Sequence, residues 1–307
     1  MNQRGVAFVV ACSLVAAGGA RGQERSWYQA TPEDRVSINL PVDLALVGVG
    51  LLGTLGTELA KKSLAPENCV VCNGPDNSGL GDGSQGDLNG VDAYFHDQLT
   101  GALFSRKTAD TISNVWVAGL VPIYAIGGSF AFTGPHASNG AGLRNSLLVV
   151  ESAFLSLTVI QSAKFFIARK RPFVRYGHGT DGEDPDTGKT YDVNDRDSHI
   201  SFPSGHTALA TSLSVSLAML ATLEDSKAAP YLWAGAGVAS VGAATLRMMA
   251  EKHNFTDVAV GALVGTGVGV LVPYLHRRGG LLAETNSTLS MGTSAAGAPM
   301  IAWSGRM

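Results

Sequence analysis

The feature that most constrains this chain is a set of long apolar segments that carry almost no charge. No Asp, Glu, Lys or Arg occurs from Thr111 to Leu143, from Ala228 to Leu246 or from Val258 to His276. Segments of this length are typical of buried or membrane-spanning helices. Glycine is abundant, with 38 residues in the chain, and small residues let helices approach one another closely. The sequence therefore predicts an all-α fold.

The predicted architecture is a helical bundle of about six core helices, with the functional site at one end. The segments are residues 40–59, 115–132, 144–171, 204–223, 231–250 and 255–275. A shorter amphipathic helix is predicted from Val91 to Phe104, and Pro172 is predicted to end the helix before it. The tail after Gly279 is predicted to be irregular or a small hairpin.

Composition divides the chain into four parts. They are a signal peptide at 1–22, an N-terminal helix and Cys-containing loop at 23–109, the helical core at 110–278 and the tail at 279–307.

The first residues are typical of a secretory signal peptide. Arg4 is followed by an apolar run from Val6 to Ala17 and then by small residues suited to cleavage. The run is short for a bilayer span, although an uncleaved anchor is the alternative. We expect an exported protein, periplasmic or membrane-associated, with its site outside the cytoplasm.

Two cysteines remain once the signal is removed, Cys69 and Cys72. In an exported chain such a close pair most simply forms a local disulfide. A zinc site would need two further ligands, and only His96 is near in sequence. A redox-active pair would normally start a helix in a βαβ unit, and the sequence contains no such pattern.

The sequence leaves open whether the helices span a membrane. Asp43 and Glu151 interrupt two of the apolar segments, which is costly in lipid. If the processed N-terminus is outside and the first three segments cross, the segment His276–Arg278 ends outside, against the positive-inside tendency. This argument favours a first segment that does not cross, or a bundle soluble in the exported compartment.

Three short blocks in the second half carry the candidate chemistry. The first is Lys164 with Arg171-Pro172. Seven residues are two helical turns, so both cations are predicted to project from one face near the helix end. The alternative is that they are cations extending to solvent at a helix terminus, and Arg169 and Lys170 are predicted to do that.

The second block, Pro203-Ser204-Gly205-His206, lies where a long loop enters an apolar helix. Free backbone N–H groups at such a position attract an anion. Gly205 allows close approach to the backbone, Ser204 can cap the helix and donate its hydroxyl, and His206 can deliver a proton to a leaving group. The alternative is a capped helix with a partly exposed histidine.

The third block is Arg247, His253 and Asp257. His253 and Asp257 are four residues apart, hence on one face if helical, and the carboxylate can hold one ring nitrogen while the other is a nucleophile. Arg247 has a fork suited to two phosphate oxygens. A surface His–Asp pair of little energetic value is the alternative.

In this order the blocks resemble the type-2 phosphatidic acid phosphatase superfamily, which also contains vanadium-dependent haloperoxidases and bacterial acid phosphatases. The family pattern is Lys, six residues, Arg-Pro; then Pro-Ser-Gly-His; then Ser-Arg, five residues, His, three residues, Asp. The matching positions are Lys164, Arg171, Pro172, Pro203, Ser204, Gly205, His206, Arg247, His253 and Asp257. The resemblance covers about residues 110 to 276. Leu246 stands where the family usually has Ser, which removes one hydroxyl near the phosphate pocket.

The resemblance implies a phosphatase core and a covalent mechanism without metal or cofactor. Lys164, Arg171 and Arg247 would hold the phosphoryl oxygens, helped by Ser204 and the Gly205 amide. His253 would attack phosphorus, oriented by Asp257, and His206 would protonate the departing alcohol. A neutral His253 and a protonated His206 predict a bell-shaped pH dependence.

Two alternatives share these residues. In a vanadium-dependent haloperoxidase, vanadate would occupy the anion pocket with His253 as its ligand. A non-catalytic anion- or lipid-binding membrane protein would keep the fold without turnover. The expected partner is a phosphate ester, either a lipid phosphate or a soluble one. The net charge of −3 gives no reason to expect nucleic acid, and the sequence indicates no oligomeric state.

Overall fold

The computed structural model describes residues 26–66, 89–134, 137–175, 196–283, 288–293 and 299–304. The predicted signal peptide, Cys69 and Cys72 lie outside the described residues, so signal and disulfide stay predictions. The α-helices of the described part are α1 (Leu40–Leu64), α2 (Gly90–Leu99), α3 (Arg106–Val115), α4 (Val121–Ala131), α5 (Ala141–Ile167), α6 (Pro172–Arg175), α7 (Gly205–Leu223), α8 (Ala229–Met249) and α9 (Phe255–Leu275).

Short irregular elements complete the chain. A π-helical turn, Trp116–Leu120, joins α3 to α4 without a break, and a 3-10 turn, Arg196–His199, precedes α7. Strands β1 (Thr288–Thr293) and β2 (Pro299–Ser304) pair antiparallel as a terminal hairpin. The predicted all-α bundle is therefore confirmed, with the hairpin in its tail.

Helix α7 forms the centre of the bundle, packed by α4, α5, α8 and α9. It is buried on most of its circumference, and hydroxyl side chains such as Ser214 donate to backbone carbonyls within the helix. Glycines on α9 allow close contact with α7, because a Cβ at Gly265 would lie 2.6 Å from the carbonyl oxygen of Ala208. The small residues of the sequence are therefore used for close packing of α7 on α9.

Successive long helices run in opposite directions, so the segment before α1 and the segment after α9 lie at the same end of the bundle. Val36 pairs with Arg277, and the N–H of Ser37 donates to the carbonyl of His276 at 3.0 Å. At the other end, the end of α5 lies beside the start of α7, and the end of α8 leads through a short loop into α9. All three sequence blocks lie at this second end.

The end of α5 differs from the prediction. The helix stops at Ile167, and Ala168 adopts a left-handed conformation with φ of 39° while its N–H donates to the carbonyl of Lys164. The chain then runs extended to Arg171, since Pro172 disfavours helical backbone at the residue before it. The prediction that Lys164 and Arg171 share one helix face is therefore wrong. Helix α2 also ends at Leu99, short of the predicted Phe104.

The exterior of the bundle is strongly apolar. Five helical stretches are long and apolar enough to cross a membrane, namely α1, α3 to α4, α5, α7 and α9. Their outward side chains include Leu59 and Phe166, which are 85% and 80% exposed. Soluble monomers rarely expose contiguous apolar patches of this extent. The structure therefore suits membrane association, and it favours that reading over the soluble bundle.

Candidate active site

The three blocks converge at one end of the bundle. Lys164 lies in the last turn of α5, and Arg247 lies in the last turn of α8. Gly205 is the first residue of α7, and a Cβ there would lie 3.6 Å from Nζ of Lys164. The first and second blocks are therefore in contact, although they are 41 residues apart in the sequence (205 minus 164).

The start of α7, where the sequence predicts anion binding, is named the anion cradle below. Ser204 is its N-cap residue and is fully buried, with its Oγ accepting from Oγ1 of Thr207 at 3.1 Å. The N–H of Ser204 donates to the backbone carbonyl of Asp257 at 2.9 Å, which fixes α7 against the start of α9. Free N–H groups at a helix N-terminus favour negative charge.

Arg171 is buried and is held by a residue that the sequence motifs did not indicate, Asp197. Nε of Arg171 donates to the carbonyl of Asp197 at 2.9 Å, and Nη2 lies 3.3 Å from the Asp197 carboxylate. Arg171, with Lys61 on α1, holds the pKa of the Asp197 carboxyl well below its usual range. The carboxylate is therefore ionised and fixes the guanidinium. A lone Asp in a long loop gives no sequence signal for this role.

Arg247 is also buried, and α3 holds it in place. Its Nη1 donates to Asp110 at 2.8 Å and to Oγ of Ser113 at 3.1 Å. Its Nε has no hydrogen-bond partner among the described residues. A buried donor without a partner is costly, so this nitrogen is available for an anion. Leu246, in the position where a hydroxyl was expected, is buried at 8% exposure.

His253 lies in the loop before α9 and is 3% exposed. Burial lowers the pKa of His253 well below its usual value. The positive charges of Arg171, Arg247 and Lys164 lower that pKa further. The imidazole is therefore neutral near neutral pH, and its nitrogen lone pair is available. The three cations predicted from the sequence thus act electrostatically on the predicted nucleophile.

Asp257 serves the loop and the helix start as much as the histidine. His253 precedes the N-cap residue Asn254, so His253 and Asp257 do not form an i,i+4 pair within one helix. The Nδ1 of His253 lies 3.7 Å from Oδ2 of Asp257, longer than a hydrogen bond. That oxygen accepts instead from the N–H of Asn254 at 2.8 Å and from Oγ of Ser201 at 2.5 Å.

The prediction that Arg169 extends to solvent is wrong. Arg169 is 6% exposed, and its two terminal nitrogens lie 2.5 Å from Asp257 and 2.7 Å from Asp92. Burial opposes the charge, but the two carboxylates raise the pKa of Arg169. Asp92 also accepts from the N–H and Oγ1 of Thr256. The left-handed turn at Ala168 directs Arg169 inward, and no sequence pattern indicated it.

His206 is half-buried on the first turn of α7. Its Nε2 lies 2.9 Å from the amide oxygen of Asn114 on α3. Because an amide oxygen accepts, Nε2 carries a proton in this contact. Burial, and after it the charge of Arg247, lowers the pKa of His206 well below its usual value. Asn114 is a further site residue that no motif indicated.

Comparison with known protein families gives a match to the second half of the chain. Residues 145–280 match the model of the PAP2 superfamily. The match supports the type-2 phosphatidic acid phosphatase superfamily for this segment. The segment contains all three blocks, and the match supports a phosphatase-like activity in broad terms. Comparisons with curated proteins and with solved structures return no match.

The PAP2 segment does not contain every group that reaches the site. Asp92 lies on α2, and Asp110 and Asn114 lie on α3, all before residue 145. These side chains contact Arg169, Arg247 and His206 respectively. Helices α2 and α3, which precede the PAP2 segment, therefore provide polar side chains that contact residues of the candidate active site.

Proposed function

We propose that this protein is a metal-independent phosphohydrolase that cleaves phosphate monoesters or diphosphate esters, with lipid phosphates as the substrate class. The observation that carries the proposal is the burial of His253 beside three cations, because burial and then the charges of Arg171, Arg247 and Lys164 lower its pKa. A neutral imidazole among cations suits attack on a bound phosphate anion.

The cations provide the electrostatic part of the proposed catalysis. Lys164, Arg171 and Arg247 bind the non-bridging phosphoryl oxygens, and the Gly205 N–H and the Ser204 hydroxyl add donors. Asp197 and Asp110 hold two of these guanidinium groups before substrate arrives. Donors that are already oriented stabilise developing charge without reorganisation in the transition state.

The proposed chemistry has two steps. The Nε2 lone pair of His253 attacks phosphorus and the ester P–O bond breaks. The bound phosphate anion offsets the cations that lower the pKa of His206, so that His206 is protonated in the complex and gives its proton to the departing alcohol. Water then attacks the phosphohistidine, its proton passes to His206, and the P–N bond breaks to release phosphate. Asp257 orients His253 through Nδ1, and the contact of 3.7 Å shortens to a hydrogen bond as charge develops on the ring.

A lipid substrate is supported by the apolar surface near the site. Val91 and Tyr94 on α2, together with Leu103 and Phe104 after it, are between 41% and 77% exposed. Helix α2 contacts α8 and α9 at the end of the bundle that holds His253. Acyl or prenyl chains in a bilayer would thus bring their phosphate group to the cradle from an apolar surface.

The test is a substrate panel run on the full chain in detergent. Phosphatidic acid and a polyprenyl diphosphate are compared with soluble phosphomonoesters, with and without EDTA. We expect turnover of the lipid phosphates that survives EDTA. We also expect that rapid quenching in alkaline detergent, in which a P–N bond is stable, traps labelled phosphate on the wild-type protein.

Two variants test the mechanism, and added vanadate with peroxide tests the haloperoxidase alternative. His253→Ala is expected to lose both turnover and trapped phosphate, whereas Lys227→Ala, an exposed cation at the far end, keeps both. Turnover that is unchanged in His253→Ala would overturn the mechanism, and turnover lost on chelation below the melting temperature would overturn metal independence. Peroxide-dependent halide oxidation after adding vanadate, without phosphatase turnover, would identify the haloperoxidase alternative.

A further inference from the structure

A second cluster of ionisable side chains lies at the end of the bundle away from His253. Asp43 on α1, Glu151 on α5 and His276 after α9 are each 0% exposed. One imidazole nitrogen and two carboxylate oxygens, one from each residue, lie within 4.8 Å of one another. The 21 residues of α9 separate this cluster from His253 by about 30 Å, so it takes no part in the proposed phosphate chemistry.

The carboxylates of this cluster have unused oxygen atoms. Both side-chain oxygens of Glu151, and Oδ2 of Asp43, have no hydrogen-bond partner among the described residues. A buried carboxylate without a partner is strongly disfavoured. Glu224 provides the contrast, because this buried glutamate accepts hydrogen bonds from the N–H of Gly134 and from Asn145. The unpartnered oxygens of Glu151 therefore need either a bound proton or a cation.

His276 is oriented as a ligand. Its Nδ1 lies 2.8 Å from the carbonyl oxygen of Val272, and since a carbonyl only accepts, Nδ1 carries a proton. In the neutral ring Nε2 then has a lone pair, which faces Oδ1 of Asp43 at 2.9 Å. Two such atoms repel unless a positive charge lies between them or on the ring. A ring nitrogen that donates to a backbone carbonyl is typical of metal-binding histidines.

We propose that Asp43, Glu151 and His276 form a structural site for a divalent transition-metal ion. One imidazole and two carboxylates suit Zn²⁺ or Mn²⁺. Two carboxylates and a dication are neutral overall, which suits the interior of an apolar bundle. The ion would fasten α1, which lies before the PAP2 segment, to α5 and to the end of α9.

The proposed site is tested by measuring the number of metal ions bound per full-length chain in detergent. Cys12, Cys69 and Cys72 are replaced by Ser so that no thiol contributes to the count. A chelator first removes bound metal, and the protein is then titrated with Zn²⁺ or Mn²⁺. After gel filtration in metal-free buffer, the metal content is measured by inductively coupled plasma mass spectrometry. We expect one ion per chain and a melting temperature raised by about 5 °C at saturating metal.

Matched variants separate this site from other sources of metal. Glu151→Gln and His276→Gln keep the side-chain size and are expected to lose the bound ion and the metal-dependent shift. Glu224→Gln, a buried glutamate with hydrogen-bonded oxygens, is expected to keep both. Helical circular dichroism of the stripped proteins shows whether each variant folds.

Two results would overturn the proposal. One is a folded wild-type chain that retains no metal after titration, in which case the three groups share protons instead. The other is equal metal binding by wild type and by folded Glu151→Gln. Because the sites are far apart, chelation is expected to lower the melting temperature without abolishing phosphatase turnover below it, so each proposal can fail independently.

Discussion

At the level of single residues, the charge around His253 determines the pH at which it can act. Lys164, Arg171 and Arg247 lower the pKa of this buried imidazole. Protonation of His253 would remove its nucleophilic lone pair, so the acid limb of kcat/KM is expected below the ordinary histidine pKa of about 6.5.

Removing one of these cations should move that limb in a known direction. In Arg171→Gln, a positive charge is lost, protonation of His253 becomes easier, and its pKa rises. We expect the acid limb of the kcat/KM profile to move up by about one pH unit, besides a general loss of activity. Lys227→Ala should leave the limb in place, and an unmoved limb in Arg171→Gln would contradict the electrostatic account.

Arg169 provides a second prediction, this one on stability. Arg169→Met leaves Asp92 and Asp257 as buried carboxylates without their shared cation. Breaking a buried ion pair in this way costs about 3 kcal/mol or more of the free energy of unfolding, measured by denaturant unfolding in detergent. Adding Asp92→Asn should recover part of the loss, because it removes one of the stranded charges. Equal stability of Arg169→Met and wild type would show that the network contributes nothing.

At the level of helices, the contact of α7 with α9 links packing to the site. A Cβ at Gly261 would lie 2.5 Å from the carbonyl oxygen of Ser204, which is backbone and cannot move aside. Gly261→Ala is therefore expected to separate α9 from the anion cradle, lowering both the melting temperature and kcat.

Gly267 on the same helix is the matched control. A Cβ there meets nothing within 4 Å, and alanine is favoured over glycine in a helix by about 1 kcal/mol. Gly267→Ala should keep full activity and melt at the same temperature or slightly higher. If both variants behave alike, the close approach of the two helices at Ser204 does not control the site.

Helix boundaries could be predicted where the sequence marks them. The start of α7 after Ser204 and the start of α9 after Asn254 coincide with residues suited to capping. The end of α5 could not be predicted, because Ala168 adopts a left-handed conformation that usually requires glycine. That one turn removes Arg171 from the helix and directs Arg169 into the interior.

At the level of the whole molecule, the alternating helices restrict how the chain can lie in a membrane. The segment before α1 and the segment after α9 meet at one end, and the PAP2 blocks lie at the other. A cleaved signal peptide, a bundle in which α1 crosses the bilayer together with the other long helices, and a site outside the cytoplasm cannot all hold. A chain that starts outside and crosses once would have its site inside.

Labelling of single cysteines in intact cells shows which end of the bundle faces outside, and therefore which of these three statements is false. With Cys12, Cys69 and Cys72 replaced by Ser, Lys62→Cys reports on the site end and Arg278→Cys reports on the opposite end. Because the exterior is apolar, we expect a membrane-impermeant maleimide to label only one of them before lysis. An outward site requires that this one be Lys62→Cys. Labelling of both in intact cells would instead indicate an exported bundle that does not cross.

The sequence by itself determined the helical class, the three blocks and their approximate boundaries, because periodic apolar segments and short motifs are local properties of a chain. Only the tertiary structure decided which groups hold those blocks in place. Arg169 meets carboxylates 77 and 88 residues away, and Glu151 lies beside Asp43 on α1 and His276 after α9. Such partners are selected by the packing of distant helices and the cost of burying charge, and local spacing does not encode either.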